Sequence, residues 1–193
     1  MKQLVFATAN AHKIAEVNRL LQGLYEVVPM HVLGITEDIP ETADTLQGNA
    51  LLKAQYVHQR LGIDCFAEDT GLEVEVLNGA PGVYSARYAG PHNDAQANMR
   101  KLLDALKGCD NRRARFRTVI VLIYKGQTQL FEGIVPGHIA QVPAGTNGFG
   151  YDPIFVPQGY DRTFAQMSTA QKNAISHRSK AIARLVDFLK KQP

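Results

Sequence analysis

Cysteine is scarce: Cys65 and Cys109 are the two in 193 residues, and they stand without CxxC spacing. Neither a disulfide framework nor a zinc site is expected from them, and the cytoplasm is the compartment that fits best. Charge of one sign is scarce too. The formal net charge is +3, and apart from Arg112-Arg113-Ala114-Arg115 and Lys190-Lys191 the basic residues are scattered, so no nucleic-acid stripe is expected. A compact anionic ligand stays open. Long apolar runs are missing as well. Met1-Lys2-Gln3 leads into LVFATAN, too short for a signal-peptide core and far too short to cross a bilayer, so no membrane partner is expected. No low-complexity tract or internal repeat appears. What is present, 45% hydrophobic and 20% charged residues, matches an ordinary soluble domain, and a single domain over residues 1–193 is the expectation.

Apolar periodicity outlines a mixed α/β order. Residues 2–8 read as a buried strand, and from Asn10 the positions Ile14, Val17, Leu20, Leu21 and Leu24 recur at helical spacing towards Gly23. Asp44 with Gln47 resembles a capping box for a second helix, with the stripe Leu46, Ala50, Ala54, Val57, Leu61 and a stop at Gly62. CFAEDTGLEVEVL reads as two short strands around a turn at Thr70-Gly71. Asn93 or Asp94 caps a third helix carrying Met99, Leu102, Leu103 and Leu106. RFRTVIVLIYKGQTQLFEGIVPGHI reads as a hairpin turning near Lys125-Gly126, its VIVLIY segment suited to a central strand. A loop follows over 143–155, and a final helix over 179–189 presents Ile182, Leu185, Val186 and Leu189. Early helices and a central hairpin together predict a mixed sheet.

Five stretches carry candidate chemistry. Thr8-Ala9-Asn10-Ala11-His12-Lys13 joins a strand to a helix, where unpaired N–H groups, the helix dipole and Lys13 favour an anion; a capped helix with a solvated lysine is the plainer alternative. It is not a Walker A loop. Lys53 sits beside the apolar stripe of the second helix, where it either snorkels or meets a buried anion, and Glu41 precedes that helix as a ligand or a loop acid. Glu68-Asp69 is suited to holding Mg²⁺ or activating water at a strand end, or equally to an Asx-turn onto Gly71. In GTNGFGYDPIF, glycines allow close approach while Phe149, Gly150, Tyr151 and Asp152 offer ring faces and an acceptor to a flat base, unless the aromatics simply pack inward. Lys172, His177 and Arg178 are donors near the last helix start, where basic charge opposes the dipole unless something negative compensates and so hints at a ligand, although His177 could as well cap or pack.

Taken in order, TANxxK, ExxxxxxxNAxxKA, EDTGL, GFGYDPIF and SHR resemble the inosine triphosphate pyrophosphatase family, with GAPGVYSARYAG similar to the segment after its acidic turn. The resemblance implies an elongated mixed β-sheet with flanking helices, two lobes around a central cleft, and a homodimer. It implies Mg²⁺-dependent cleavage of ITP, dITP or XTP between the α and β phosphates, releasing the monophosphate and pyrophosphate and cleansing the nucleotide pool. Thr8 to Lys13, Lys53 and Thr70 would hold the triphosphate, Glu41 and Asp69 the metal, and Asp69 would be the catalytic base. Phe149 to Asp152, Lys172, His177 and Arg178 would bind the base. Hypoxanthine and xanthine present an O6 acceptor and an N1–H donor whereas adenine reverses both, so Arg178 facing O6 would reject ATP. Two departures stand out: Gly48 and Gln166 occupy positions where Glu is common in the resembled pattern. The alternatives are a nucleotide-binding regulatory module without turnover and a pyrophosphatase for other modified nucleotides.

Overall fold

The computed structural model describes residues 2–192. Seven strands form one mixed sheet: β1 (Lys2–Phe6), β2 (Tyr25–Pro29), β3 (Cys65–Val74), β4 (Pro81–Gly82), β5 (Arg113–Tyr124), β6 (Gln127–Ile139) and β7 (Phe155–Pro157). Their order is β2-β1-β3-β5-β6-β7, with β4 on β3. The helices are α1 (Ala11–Leu21), α2 (Leu46–Leu61), α3 (Ala95–Ala105), α4 (Thr169–Ile175) and α5 (His177–Lys190). The chain divides into two compact units, the first holding residues 1–69, 118–133 and 178–193 and the second residues 70–117 and 134–177.

In the first unit β1 pairs in parallel with β2 and, through Val5–Cys65 and Phe6–Phe66, with β3. Side chains alternate across these strands. Leu4, Phe6, Phe66, Ile120 and Leu122 pack against Val17 and Leu21 of α1 and Ile182 and Leu185 of α5. Val5, Ala7, Cys65, Ala67, Val121 and Ile123 pack against Ala50, Ala54 and Val57 of α2. Each face of the sheet therefore has its own helical cover, which is why the VIVLIY segment reads apolar at every position. Burial also pushes the Cys65 thiol up to about 12, so this cysteine is an inert core residue. In the second unit, Leu72, Val74, Met99, Leu102, Phe116, Val135, Phe155 and Phe164 form the core.

Several sequence expectations need correction. CFAEDTGLEV is one continuous strand, not two around a turn, and Gly71 is not among the glycines with positive φ. Three apolar strand residues, Cys65, Phe66 and Ala67, precede the acids, and pairing along β3 overrides the turn tendency of Asp-Thr-Gly. Thr45, not Asp44, caps α2, its hydroxyl accepting from the Gly48 N–H. Leu24 lies beyond α1 and is 43% exposed. The last helix begins at His177 rather than Ser179. The hairpin turn falls at Lys125-Gly126 as expected, both residues in the left-handed region with φ of 49° and 76°. Strands β2, β4 and β7 and the short α4 were missed because each is five residues or fewer, or lacks periodicity.

Candidate functional site

The parity of β3 decides what its two acids do. Glu68 shares the face of Phe66, towards α1 and α5, while Asp69 shares the face of Ala67, towards α2. Both lie just past the last β1–β3 pair, where β1 itself gives way to the Thr8–Lys13 segment. Outside the carboxyl ends of parallel strands is where open α/β sheets place ligands.

On the α1/α5 side, Glu68 is 1% exposed and accepts from Arg178 Nε and Nη2, each at 2.8 Å. Lys13 Nζ lies 3.3 Å from Glu68 Oε1, and Arg178 Nη1 also bonds Glu16. Lys13 and Glu16, three apart on α1, present one acid and one base to the same site. Burial alone would raise the Glu68 carboxyl, but Arg178 and Lys13 outweigh it and hold it at about 2. Burial lowers Lys13 from its ordinary value, opposed by Glu68. Burial would likewise lower Arg178, but Glu68 and Glu16 raise it. The negative charge that offsets Arg178 at a helix start thus comes from the protein itself. Glu68 is a committed counter-ion.

On the α2 side, the buried stripe Leu46, Asn49, Ala50, Lys53, Ala54, Val57 contains two polar residues at helical spacing. Lys53 Nζ lies 2.5 Å from Glu41 Oε1 and 3.8 Å from Asp69 Oδ1. Asn49, fully buried, donates to Asp69 Oδ2 at 3.3 Å and accepts from the Ala43 N–H at 2.9 Å, tying the Glu41 loop to β3. Burial pushes the Asp69 carboxyl up, Lys53 and Lys13 pull it down, and Glu41 adds to the rise; the net shift is upward. Gly48 belongs to this packing: a Cβ there would meet the Ala43 Cβ at 2.6 Å and Thr45 Oγ1 at 3.0 Å. The Ala43–Thr45 loop occupies the space that an acid at 48 would need.

At Thr8–Lys13 the expectation of open amides is corrected in part. Asn10 Oδ1 accepts from the N–H groups of His12 and Lys13, and Thr8 Oγ1 from that of Asn10. Ala9, Ala11 and His12 are exposed, Asn10 is half-buried and Thr8 is buried. An anion here meets the helix dipole and Lys13 rather than those capped amides.

In the second unit two of the predicted base-binding residues, Phe149 and Lys172, meet at a third, Asp152, whereas Arg178 belongs to the first unit. The Asp152 carboxylate, 2% exposed, accepts from Lys172 Nζ at 2.7 Å and from the Phe149 N–H at 2.9 Å. Lys172 Nζ also lies 5.0 Å from the centre of the half-buried Phe149 ring. The Tyr151 hydroxyl donates to the Ser85 carbonyl at 2.7 Å, and burial raises its pKa. His177 stacks on Phe116 with centroids 4.6 Å apart. Gly150 has a φ of 61°, and Thr70 is half-buried in β3. Gln166 accepts from the Thr163 N–H, completing a capping box for which a neutral acceptor is sufficient. Gly148 has a φ of 74°, and a Cβ there would fall 2.0 Å from Asp152 Oδ2. Gly148→Ala is therefore expected to break the Asp152 pairing and cost about 1–3 kcal/mol of stability, read by urea unfolding, with a lower preference for ITP over ATP. A groove of about 750 Å³ in the same unit is lined by Glu73, Arg113, Arg115, His138 and Tyr160 among others, and by none of the predicted site residues.

Glu16 and Asn49 were missed as site residues. A signal existed for both, an acid and an amide inside apolar helical stripes, but neither residue type points by itself to phosphate chemistry. Among the described residues no three His, Cys, Asp or Glu side chains cluster as metal ligands. The donor set at Asp69 is two carboxylates, Glu41 and Asp69. Hard oxygen donors few in number suit Mg²⁺, which keeps waters and takes phosphate oxygens, so these residues fit that ion.

The chain is an α/β protein whose first unit groups Lys53, Glu41 and Asp69 near the end of a parallel ladder and whose second unit pins an aromatic- and glycine-containing loop by the Asp152–Lys172 pair. The chain belongs to the Ham1 family, matching it over residues 4–188. It is 56% identical to a dITP/XTP pyrophosphatase of Porphyromonas gingivalis over 190 residues, covering 98% of each chain. Against one of Flavobacterium johnsoniae it is 53% identical over 187 residues, covering 97% of each. Among solved structures, the Staphylococcus aureus Ham1 protein superposes with a TM-score of 0.89 at 43% identity, covering 98% of each chain. A HAM1 protein from Coxiella burnetii does so with 0.90 at 38% identity, covering 100% of each. The mixed sheet with helices is thus the fold of that family. No helix among the described residues is long and apolar enough to cross a membrane.

Proposed function

We propose that this protein is a nucleoside-triphosphate pyrophosphatase that hydrolyses dITP, ITP and XTP to the monophosphate and pyrophosphate, with Mg²⁺, as a cytoplasmic homodimer that cleanses the nucleotide pool. The observation that carries the reaction is the set Lys13, Lys53, Glu41 and Asp69 near the end of the β1–β3 ladder, where Lys53 contacts both carboxylates and the Lys13 charge also acts on Asp69. Lysines serve a triphosphate, and Glu41 and Asp69 beside them suit a divalent ion or a reacting water. The names of close full-length relatives support the same substrates. The dimer and the compartment rest on the family resemblance.

Glu41 and Asp69 would hold Mg²⁺, which when bound supplies charge neutralisation for the phosphate oxygens and the leaving pyrophosphate. Asp69, with its carboxyl pushed up by burial, is suited to take the proton of the water that attacks the α phosphorus. Asn49 orients that carboxylate. Lys53, Lys13 and the dipole of α1 hold phosphate oxygens, with Thr8 to His12 lining the approach and Thr70 adding a hydroxyl. For the base, Phe149 offers a ring face while Lys172 and Asp152 fix its loop; Gly150, Tyr151 and His177 shape the surroundings, and the family resemblance assigns O6 to Arg178, whose guanidinium is engaged by Glu68 and Glu16 in the free protein.

The test is a parallel assay with Mg²⁺ on ITP, XTP, GTP and ATP that scores pyrophosphate and orthophosphate separately. Pyrophosphate from ITP and XTP, with ATP turned over at least about 10⁴-fold less efficiently, is the expected result. Orthophosphate as the product would replace the reaction with terminal hydrolysis. Binding of ITP without turnover would make the protein a regulatory module.

A further inference from the structure

We infer that Lys53 is an internal counter-ion that holds the cation ligands in the free protein, so that divalent cation and triphosphate bind cooperatively. The inference rests on the assignment of Glu41 and Asp69 as those ligands. Lys53 is 6% exposed and its ammonium contacts both carboxylates, Glu41 at 2.5 Å and Asp69 at 3.8 Å. A nearly dry ammonium needs such partners, and two neighbouring carboxylates need a cation between them. Placement is not left to a flexible side chain alone. Asn49, one turn before Lys53 on α2, bonds Asp69 and the Ala43 N–H, so the Glu41 loop, the strand and the lysine are held as one assembly.

The same lysine is a phosphate ligand in the proposed reaction, which creates a conflict if either ligand arrives alone. A divalent cation entering alone takes the carboxylates and is left facing the Lys53 charge at short range. A triphosphate entering alone draws Lys53 away and leaves two carboxylates against its own negative charge. When both enter, the carboxylates pass to the cation and Lys53 passes to a phosphate oxygen, and every charge has a partner. Each ligand therefore raises the affinity for the other by one shared factor.

The test measures Mn²⁺ binding to the whole protein by electron paramagnetic resonance, with and without a triphosphate whose α–β bridge is methylene and cannot be cleaved. Wild type is expected to bind Mn²⁺ at least about tenfold more tightly when the analogue is present. Lys53→Met should bind Mn²⁺ about tenfold more tightly than wild type in the absence of analogue and lose most of the coupling; Lys53→Gln replaces it if the methionine variant does not fold. Unchanged or weaker Mn²⁺ binding by the lysine variant, with Asp69→Asn still abolishing binding, overturns the counter-ion role and leaves the ligand assignment standing. If Asp69→Asn binds Mn²⁺ as wild type does, the cation lies elsewhere and both fall.

Discussion

Asp69→Asn is expected to lower turnover of ITP about 10²–10⁴-fold while the protein remains folded and still binds the nucleotide. The substitution is close to isosteric, and an amide can keep one bond to Asn49. Folding should be little affected, because burial already disfavours the charged form of this carboxyl and a neutral side chain relieves that cost. What is lost is the ability to accept a proton, together with one of the two carboxylates proposed to hold the cation. The pH profile gives an independent reading. A base works only when unprotonated, so wild-type turnover should fall as pH drops through the Asp69 pKa of the loaded enzyme, and that limb should vanish in the variant. Single-turnover rates with calorimetric nucleotide binding check both parts; a near-normal rate sinks the role of Asp69.

Arg178→Ala is expected to be the most destabilising of the site substitutions, by about 3–5 kcal/mol. The arginine is fully buried and its guanidinium joins Glu68 and Glu16, which the truncation leaves without their main counter-charge. Lys13 remains close to Glu68, with Lys53 a lesser influence. The pH dependence of stability should change with it. In wild type the Glu68 carboxyl is lowered in the fold from 4.5 to about 2, so its contribution is present above 4.5 and is lost as pH falls towards 2. Without Arg178, burial dominates and raises this carboxyl, so the variant should instead gain stability relative to wild type as the medium is acidified through the range below neutrality. Urea unfolding at several pH values reads this directly. Where the variant folds, ITP turnover should suffer far more than ATP turnover; equal losses would remove Arg178 from base recognition and leave it the role of organising Glu68.

The amino-acid sequence by itself determined a good deal here. The α1 and α2 stripes, the Lys125-Gly126 hairpin and the fully apolar central strand follow from local periodicity and turn chemistry, which need no information from elsewhere in the chain. The order of short motifs was enough for the family, because five weak patterns in register over nearly the whole chain leave little room for coincidence. It could also place Lys53 beside a buried stripe. What it could not decide was the partnership of adjacent residues. Glu68 and Asp69 read as one acidic pair at a turn, yet in a continuous strand successive side chains face opposite ways, and whether EDTG turns or stays extended depends on β1 pairing with β3, a contact about 60 residues distant in sequence. That pairing sends Glu68 to Arg178, 110 positions along the chain, and Asp69 to Asn49 and Lys53. Charge compensation in a dry site is a property of three-dimensional neighbours, so only the tertiary structure separated the counter-ion from the base.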